Sequence, residues 1–176
     1  MCGRGSSVAR RDGQLMTRPA WQRMIARLIA EWFGTGQSPI APGTAGSLGT
    51  LPLFWLMARL ETGLYWTLTV LLILLGVWAA GVRAEELGDE DPSSVVIDEV
   101  VGVLLALGLV QSYAWPYWVL AWVLFRVLDI KKPWVIDRAQ ELEPAGVGIM
   151  ADDVLAGLAA GGLAALAALA GQFLGN

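Results

Sequence analysis

The chain has 176 residues, 56% of them hydrophobic, with nine Trp and a formal net charge of −4, and its mean hydropathy is +0.56. This is one domain's worth of chain and too apolar for an ordinary soluble domain, so the composition defines an integral membrane protein. Histidine is absent and Cys2 is the only cysteine, which excludes His-based nucleophiles and general bases, most zinc sites and any disulfide framework.

Residues 1–19 are basic and rich in Gly and Ser, with no apolar run of signal-peptide type, and are expected to form a disordered cytoplasmic tail. Residues 20–176 then make up the membrane domain. In 20–33, Trp21, Met24, Ile25, Leu28, Ile29, Trp32 and Phe33 recur at helical spacing, with Arg23, Arg27 and Glu31 on the other face. This predicts an amphipathic helix lying at the membrane surface, a plain core-facing helix being the alternative. Residues 34–50 are a Gly/Pro/Ser/Thr loop. No Gly-Lys-Ser/Thr follows and no strand precedes it, so it is neither a P-loop nor a dinucleotide fingerprint. It is expected to deliver Gly46 and Ser47 to the start of an apolar helix, where free N–H groups and a hydroxyl make an anion site. Simple capping by Thr44 or Ser47 is the plainer reading.

Apolar segments follow at 48–60, 64–82, 95–110, 114–128 and 154–174. The first is roughly 13 residues long against the ~20 needed to span, and it contains Pro52, so it tilts, is extended by its neighbours, or is re-entrant. The last carries Gly157 and Gly161 in small-xxx-small spacing, suited to packing within one bundle or across a homodimer. With all five crossing and the first 47 residues cytoplasmic, every Lys and Arg except Arg59 falls on the cytoplasmic side, as does every Asp and Glu except Glu61. The positive-inside rule selects that orientation.

The candidate chemistry gathers on this face. Asp98, Glu99, Asp129, Asp152 and Asp153 are the leading carboxylates, with Asp91 behind them. Crowded carboxylates repel unless a cation neutralises them, and all-oxygen ligation favours Mg²⁺, Mn²⁺ or Ca²⁺ over zinc. Asp152 alone could instead cap the last helix. Gly102, beside Asp98 and Glu99, and Gly157, beside Asp153, leave room for another backbone or a ligand. Arg126, Lys131 and Lys132 supply positive charge for an anion, Arg126 with bidentate geometry; for the two lysines, snorkelling is the bland alternative. Residues 146–150, Gly-Val-Gly-Ile-Met, are expected to form a flexible turn before the acidic pair.

Four ordered stretches, APGTAGSLGTLP, DPSSVVIDEVVG, FRVLDIKKPW and GVGIMADDVLAG, resemble the phosphatidylglycerophosphatase A family over roughly residues 25 to 160. Val135 stands where the family has a second proline after Lys-Pro-Trp, and Ala145 where it has the first glycine of Gly-Gly-x-Gly-Ile-Met. The resemblance implies an all-α, polytopic helical membrane bundle of the bacterial inner membrane with its site facing the cytoplasm. It implies Mg²⁺-dependent conversion of phosphatidylglycerophosphate to phosphatidylglycerol and phosphate. On this reading Asp98, Glu99, Asp129, Asp152 and Asp153 hold one or two Mg²⁺, with Asp129, Asp98, Glu99 and Asp153 catalytic. Lys131, Lys132 and Arg126, helped by Thr44 and Ser47, hold the phosphate. A water activated at the metal attacks phosphorus in line, a covalent aspartyl-phosphate ranking lower. The expected partners are the lipid substrate and membrane lipids, with no nucleic acid. A small ion-coupled transporter is the alternative, but it calls for carboxylates near the bilayer midplane, and these lie at segment ends. A phosphatidyltransferase would carry Asp-Gly-x-x-Ala-Arg, whereas Asp12-Gly13 continues QLMTR.

Overall fold

A computed structural model describes residues 18–174, and among these every regular element is helical. The expected tail lies almost wholly outside the described residues. Helix α1, Ala20–Ala30, exposes Trp21, Met24, Ile25 and Leu28 and buries Ala26 and Ala30. A 3-10 turn, Trp32–Gln37, leads to α2, Pro42–Gly49, and α3, Leu51–Met57. Thr50, between α2 and α3, keeps helical backbone angles. The two are separate because Pro52 has no N–H to bond back to Leu48 and its ring crowds that carbonyl. Helix α4, Thr62–Leu87, ends on Gly88 in the left-handed conformation, a usual helix stop. Then come α5, Ile97–Gly108, α6, Trp115–Lys131, α7, Trp134–Ala139, and α8, Ala145–Leu174.

Two helices, α4 and α8, are long and apolar enough to cross a bilayer. Of the five apolar segments, two thus have bilayer-crossing length and composition within single helices among the described residues. The segment at 48–60 is split between two short helices, and α5, at 12 residues, is about 18 Å long. Its apolarity has a different cause. Helix α5 is the centre of the molecule, buried along almost its whole length by α4, α6, α8 and α2.

Helices α5 and α8 run side by side in the same direction at unusually close range. A Cβ on Gly157 would strike the Gly102 carbonyl oxygen and lie 2.9 Å from the Gly102 Cα, and one on Gly161 would lie 2.7 Å from the Ala106 oxygen. Small residues four apart on each helix thus pack level with one another. The stripe expected to serve either one bundle or a dimer is used inside the chain. Helix α4 runs the other way, with Gly76 against Met150 and Ile97, and the Tyr65 hydroxyl donating to the Leu104 carbonyl at 2.6 Å. The ends of α4 and α6 and the starts of α5 and α8 consequently share one end of the bundle.

A buried ion network locks α1 to that end. Glu31, its side chain 3% exposed, accepts from Arg27 at 3.2 Å, Gln37 at 2.6 Å and Arg83 at 2.7 Å. Burial alone would push the Glu31 carboxyl up, but the hydrogen bonds from Gln37 and Arg27 and the charge of Arg83 outweigh it and hold the carboxyl below the ordinary value of 4.5. The Val96 N–H donates to the Ala30 carbonyl at 2.9 Å, tying the same corner to the entry of α5.

Two expectations follow. Gly157→Leu forces α5 and α8 apart and lowers stability by about 1–3 kcal/mol or more, read as a lower melting temperature in detergent. A group with a depressed folded pKa stabilises above its unfolded value, and that contribution is lost as pH falls through the folded one. Glu31→Gln therefore lowers stability at neutral pH and narrows the gap to wild type as the pH drops below about 4.5, measured as melting temperature against pH.

Candidate active site

The α5–α8 register decides what faces what. Gly102 sits four residues after Asp98, and Gly157 four after Asp153, so glycine-to-glycine contact brings the two carboxylates level one turn earlier. Glu99 joins them. Each of Asp98, Glu99 and Asp153 offers a carboxylate oxygen within 4.8 Å of the other two. Asp153 is 2% exposed, and both of its carboxylate oxygens are shielded and lack a hydrogen-bond partner among the described residues, as do Asp98 Oδ1 and Glu99 Oε2. The negative charges of Asp129 and Asp152 bear on Asp153 as well.

The basic groups stand around this centre. Arg126 donates to Asp129 at 2.6 Å, and both are largely buried. Lys132 follows α6 in the left-handed conformation, φ 40°, unusual for a residue with a side chain. That turn carries its ammonium to Asp152 at 2.7 Å and to the Gln140 side-chain oxygen at 2.9 Å. Burial would push the Lys132 ammonium down, but the hydrogen bond and charge of Asp152, with Asp91 and Asp153 beyond, hold it above the ordinary lysine value, so it stays charged.

Helix α2 closes one side. Gly43, next to Pro42 in its first turn, lies against the Glu99 carboxylate and within 3.4 Å of the Arg126 guanidinium by its Cβ position, and Gly46 packs on Val96. A side chain at position 43 would fall on Glu99, which is why glycine stands there.

Asp98, Glu99 and Asp153 thus meet, with Asp129, Arg126, Asp152 and Lys132 around them. Lys131 is exposed on the last turn of α6, and Asp91 is exposed before α5, its charge bearing on Lys132 and Asp152. Two placements differ from expectation. Helix α2 begins at Pro42, so Ser47 lies inside it, fully buried, donating to the Thr44 carbonyl at 3.1 Å rather than presenting a hydroxyl at a helix start. Asp152 and Asp153 lie two turns inside α8, so Asp152 does not cap it, and Gly146 and Gly148 belong to the helix rather than to a flexible turn. Those glycines are there for packing, the first against Val77 and Gly81, the second against the Gln140 and Leu142 carbonyls. Gly43 and Gln140 were not among the candidates. The Pro-Gly pair opening the first motif was the only trace of Gly43, and nothing local marks Gln140.

Unpaired buried carboxylates cost several kcal/mol each, and clustering adds repulsion. A divalent cation removes both penalties, and three carboxylates from two rigid helices, with no nitrogen or sulfur donor, fit a hard cation of the Mg²⁺ or Ca²⁺ type. In metal-free buffer, Asp153→Asn removes one repelling charge and is expected to raise the melting temperature, by an amount corresponding to about 1–3 kcal/mol. An unchanged or lower value would show that the cluster is not under electrostatic strain.

The fold and site define a helical membrane-type protein with an acidic centre and a basic rim. The Phosphatidylglycerophosphatase A family model matches residues 28–168. The chain is 38% identical over 136 residues to phosphatidylglycerophosphatase A of Escherichia coli (strain K12), covering 77% of this chain and 79% of that protein. It is 40% identical over 132 residues to phosphatidylglycerophosphatase A of Haemophilus influenzae, covering 74% and 81%. It is also 41% identical over 152 residues, covering 81% and 91%, to a Bacteroides thetaiotaomicron protein named "Putative phosphatidylinositol-3-phosphatase". No solved structure matches. The chain belongs to the phosphatidylglycerophosphatase A family.

Proposed function

We propose that the chain hydrolyses the terminal phosphomonoester of phosphatidylglycerophosphate to phosphatidylglycerol and inorganic phosphate. The reaction takes place at the cytoplasmic face of a bacterial inner membrane, with Mg²⁺ held by Asp98, Glu99 and Asp153. Family membership supports the lipid phosphatase activity. The two bilayer-length helices support the membrane setting. The observation that carries the site is the set of shielded oxygens on Asp98, Glu99 and Asp153 that have no partner among the described residues, beside an arginine and a lysine each paired to a neighbouring carboxylate.

A cation held by Asp98, Glu99 and Asp153 would supply Lewis-acid polarisation of a phosphoryl oxygen and would offset developing charge. Arg126, held in place by Asp129, donates to the other phosphoryl oxygens, and Lys132 adds a point charge. The first turn of α2, where Gly43 lies against Glu99 and Arg126, borders the same space. Asp129 takes the proton of the attacking water, whose oxygen bonds to phosphorus as the bond to the glycerol oxygen breaks. The leaving oxygen takes up the proton that Asp129 returns, directly or through water, which gives the free hydroxyl of phosphatidylglycerol and regenerates the carboxylate.

The test is phosphate release by purified protein in mixed micelles, from phosphatidylglycerophosphate and from phosphatidylinositol 3-phosphate, with Mg²⁺ and with EDTA. Expected are Mg²⁺-dependent release from phosphatidylglycerophosphate and a loss of about 10²-fold or more in kcat for Asp129→Asn. Faster release from phosphatidylinositol 3-phosphate would reassign the substrate. No release from folded protein under any divalent metal would overturn the phosphatase reading.

A further inference from the structure

An apolar groove of about 360 Å³ lies between α2–α3 and α6, within the size range of about 300–1,000 Å³ usual for small-molecule sites. Leu48, Leu51 and Trp55 form one wall and Trp118, Val119 and Trp122 the other, with Leu107 from the end of α5 also lining it. We propose that this groove holds an acyl chain of the phospholipid substrate, its glycerol-ester end at Trp122. The inference rests on the phospholipid reading of the site.

Three observations select this occupant. The first is continuity. On α6, Trp118, Trp122, Arg126 and Asp129 follow one another three or four residues apart, so they share a face, and the wall of the groove runs directly into the charged rim. On the other wall Thr44, Leu48, Leu51 and Trp55 make the matching stripe, starting beside Gly43, which touches Glu99. The groove is thus the apolar continuation of the phosphate site.

The second is length. From Arg126 to Trp115, which also lines the groove, α6 rises about 16 Å, close to the ~15 Å depth of one leaflet's hydrocarbon. A chain leaving a headgroup at Arg126 follows the groove to its end.

The third is a missing partner. The Trp118 indole N–H donates to the Val110 carbonyl at 3.0 Å, whereas that of Trp122 is buried and has no partner among the described residues. A buried donor left unpaired costs roughly 1–3 kcal/mol. Trp122 lies about 6 Å along the helix from Arg126. A glycerolipid presents ester carbonyls between its phosphate and its chains, and a small shift of the ring lets one of them accept from this N–H. A plain hydrocarbon or a detergent tail cannot satisfy it.

The experiment uses full-length protein in proteoliposomes with Mg²⁺. The probe is a phosphonate analogue of phosphatidylglycerophosphate that cannot be hydrolysed and carries a photoreactive diazirine midway along one acyl chain. Labelling is expected on Leu51, Trp118 and Val119, and to be competed by unlabelled phosphatidylglycerophosphate but not by phosphatidylcholine. Labelling spread over the exposed faces of α4 and α8, or competed equally by both lipids, would mean surrounding bilayer lipid only and would overturn the proposal. Because this readout needs no turnover, failure of the phosphatase reading would appear separately, as absent phosphate release with groove labelling intact. In turnover, Val119→Trp, which fills the groove, is expected to lower kcat/KM for a dioleoyl substrate about tenfold more than for a dibutanoyl one. Trp122→Phe is expected to erase a preference of about fivefold to tenfold for ester-linked over ether-linked substrate. Equal losses on both chain lengths, or an ester preference untouched by Trp122→Phe, would count against an acyl chain in the groove.

Discussion

The close contact of α5 with α8 is the constraint on which the site depends. Helices of ordinary composition pack 8–10 Å apart with side chains between them. Here Gly102 and Gly157 leave nothing between the backbones, and Ala106 with Gly161 repeats the contact one turn on. The glycines confer proximity, and proximity fixes register. Register then sets Asp98 and Asp153 opposite each other, at a distance their mutual repulsion would otherwise enlarge. The rest of the bundle supports this pair: α4 lies along both helices, and Phe125 of α6 presses on Gly102.

The acidic centre and its basic surroundings are balanced unequally. Asp129 and Asp152 each have a cation at hydrogen-bond distance, so they are compensated within the chain. Asp98, Glu99 and Asp153 keep shielded oxygens with no such partner among the described residues. The division separates groups paired within the chain from groups left for something the chain does not itself supply. Lys132 belongs to the first set at some backbone cost, since a left-handed conformation is unfavourable for a residue with a Cβ.

Much of this was legible in the sequence because the informative residues are close together in it. Asp98 with Gly102, and Asp153 with Gly157, are one-turn patterns, and the suggestion that each glycine admits another backbone is what the fold shows. Spanning was harder to read. Apolarity reports that a segment avoids water, not whether lipid or protein covers it, and α5 is apolar because four helices surround it. Glycine misled in the other direction. The Gly-Val-Gly-Ile-Met stretch has a loop's composition, yet it is helical because Gly81 of α4 and the Gln140 and Leu142 carbonyls occupy the space its missing side chains leave. Ser47 was misplaced because Pro42, already suited to a first turn, starts the helix earlier. Contacts between distant positions, such as Glu31 with Arg83 or Gly43 with Glu99, leave no local pattern to find.

The length of α8 has a mechanical consequence. Its stretch 154–174 carries no charge and rises about 31 Å, against a hydrocarbon thickness of about 30 Å. Asp153 stands where that stretch begins. In a bilayer that it spans, α8 would act as a ruler, one end matched to the far boundary and the other setting the depth of the acidic centre. A thinner membrane tilts the ruler, and a thicker one draws it inward. Since α5 is locked to α8 glycine against glycine, the whole carboxylate cluster travels with it. On the proposed placement of the site, bilayer thickness, set by lipid composition, becomes a variable that adjusts how deeply the carboxylates sit.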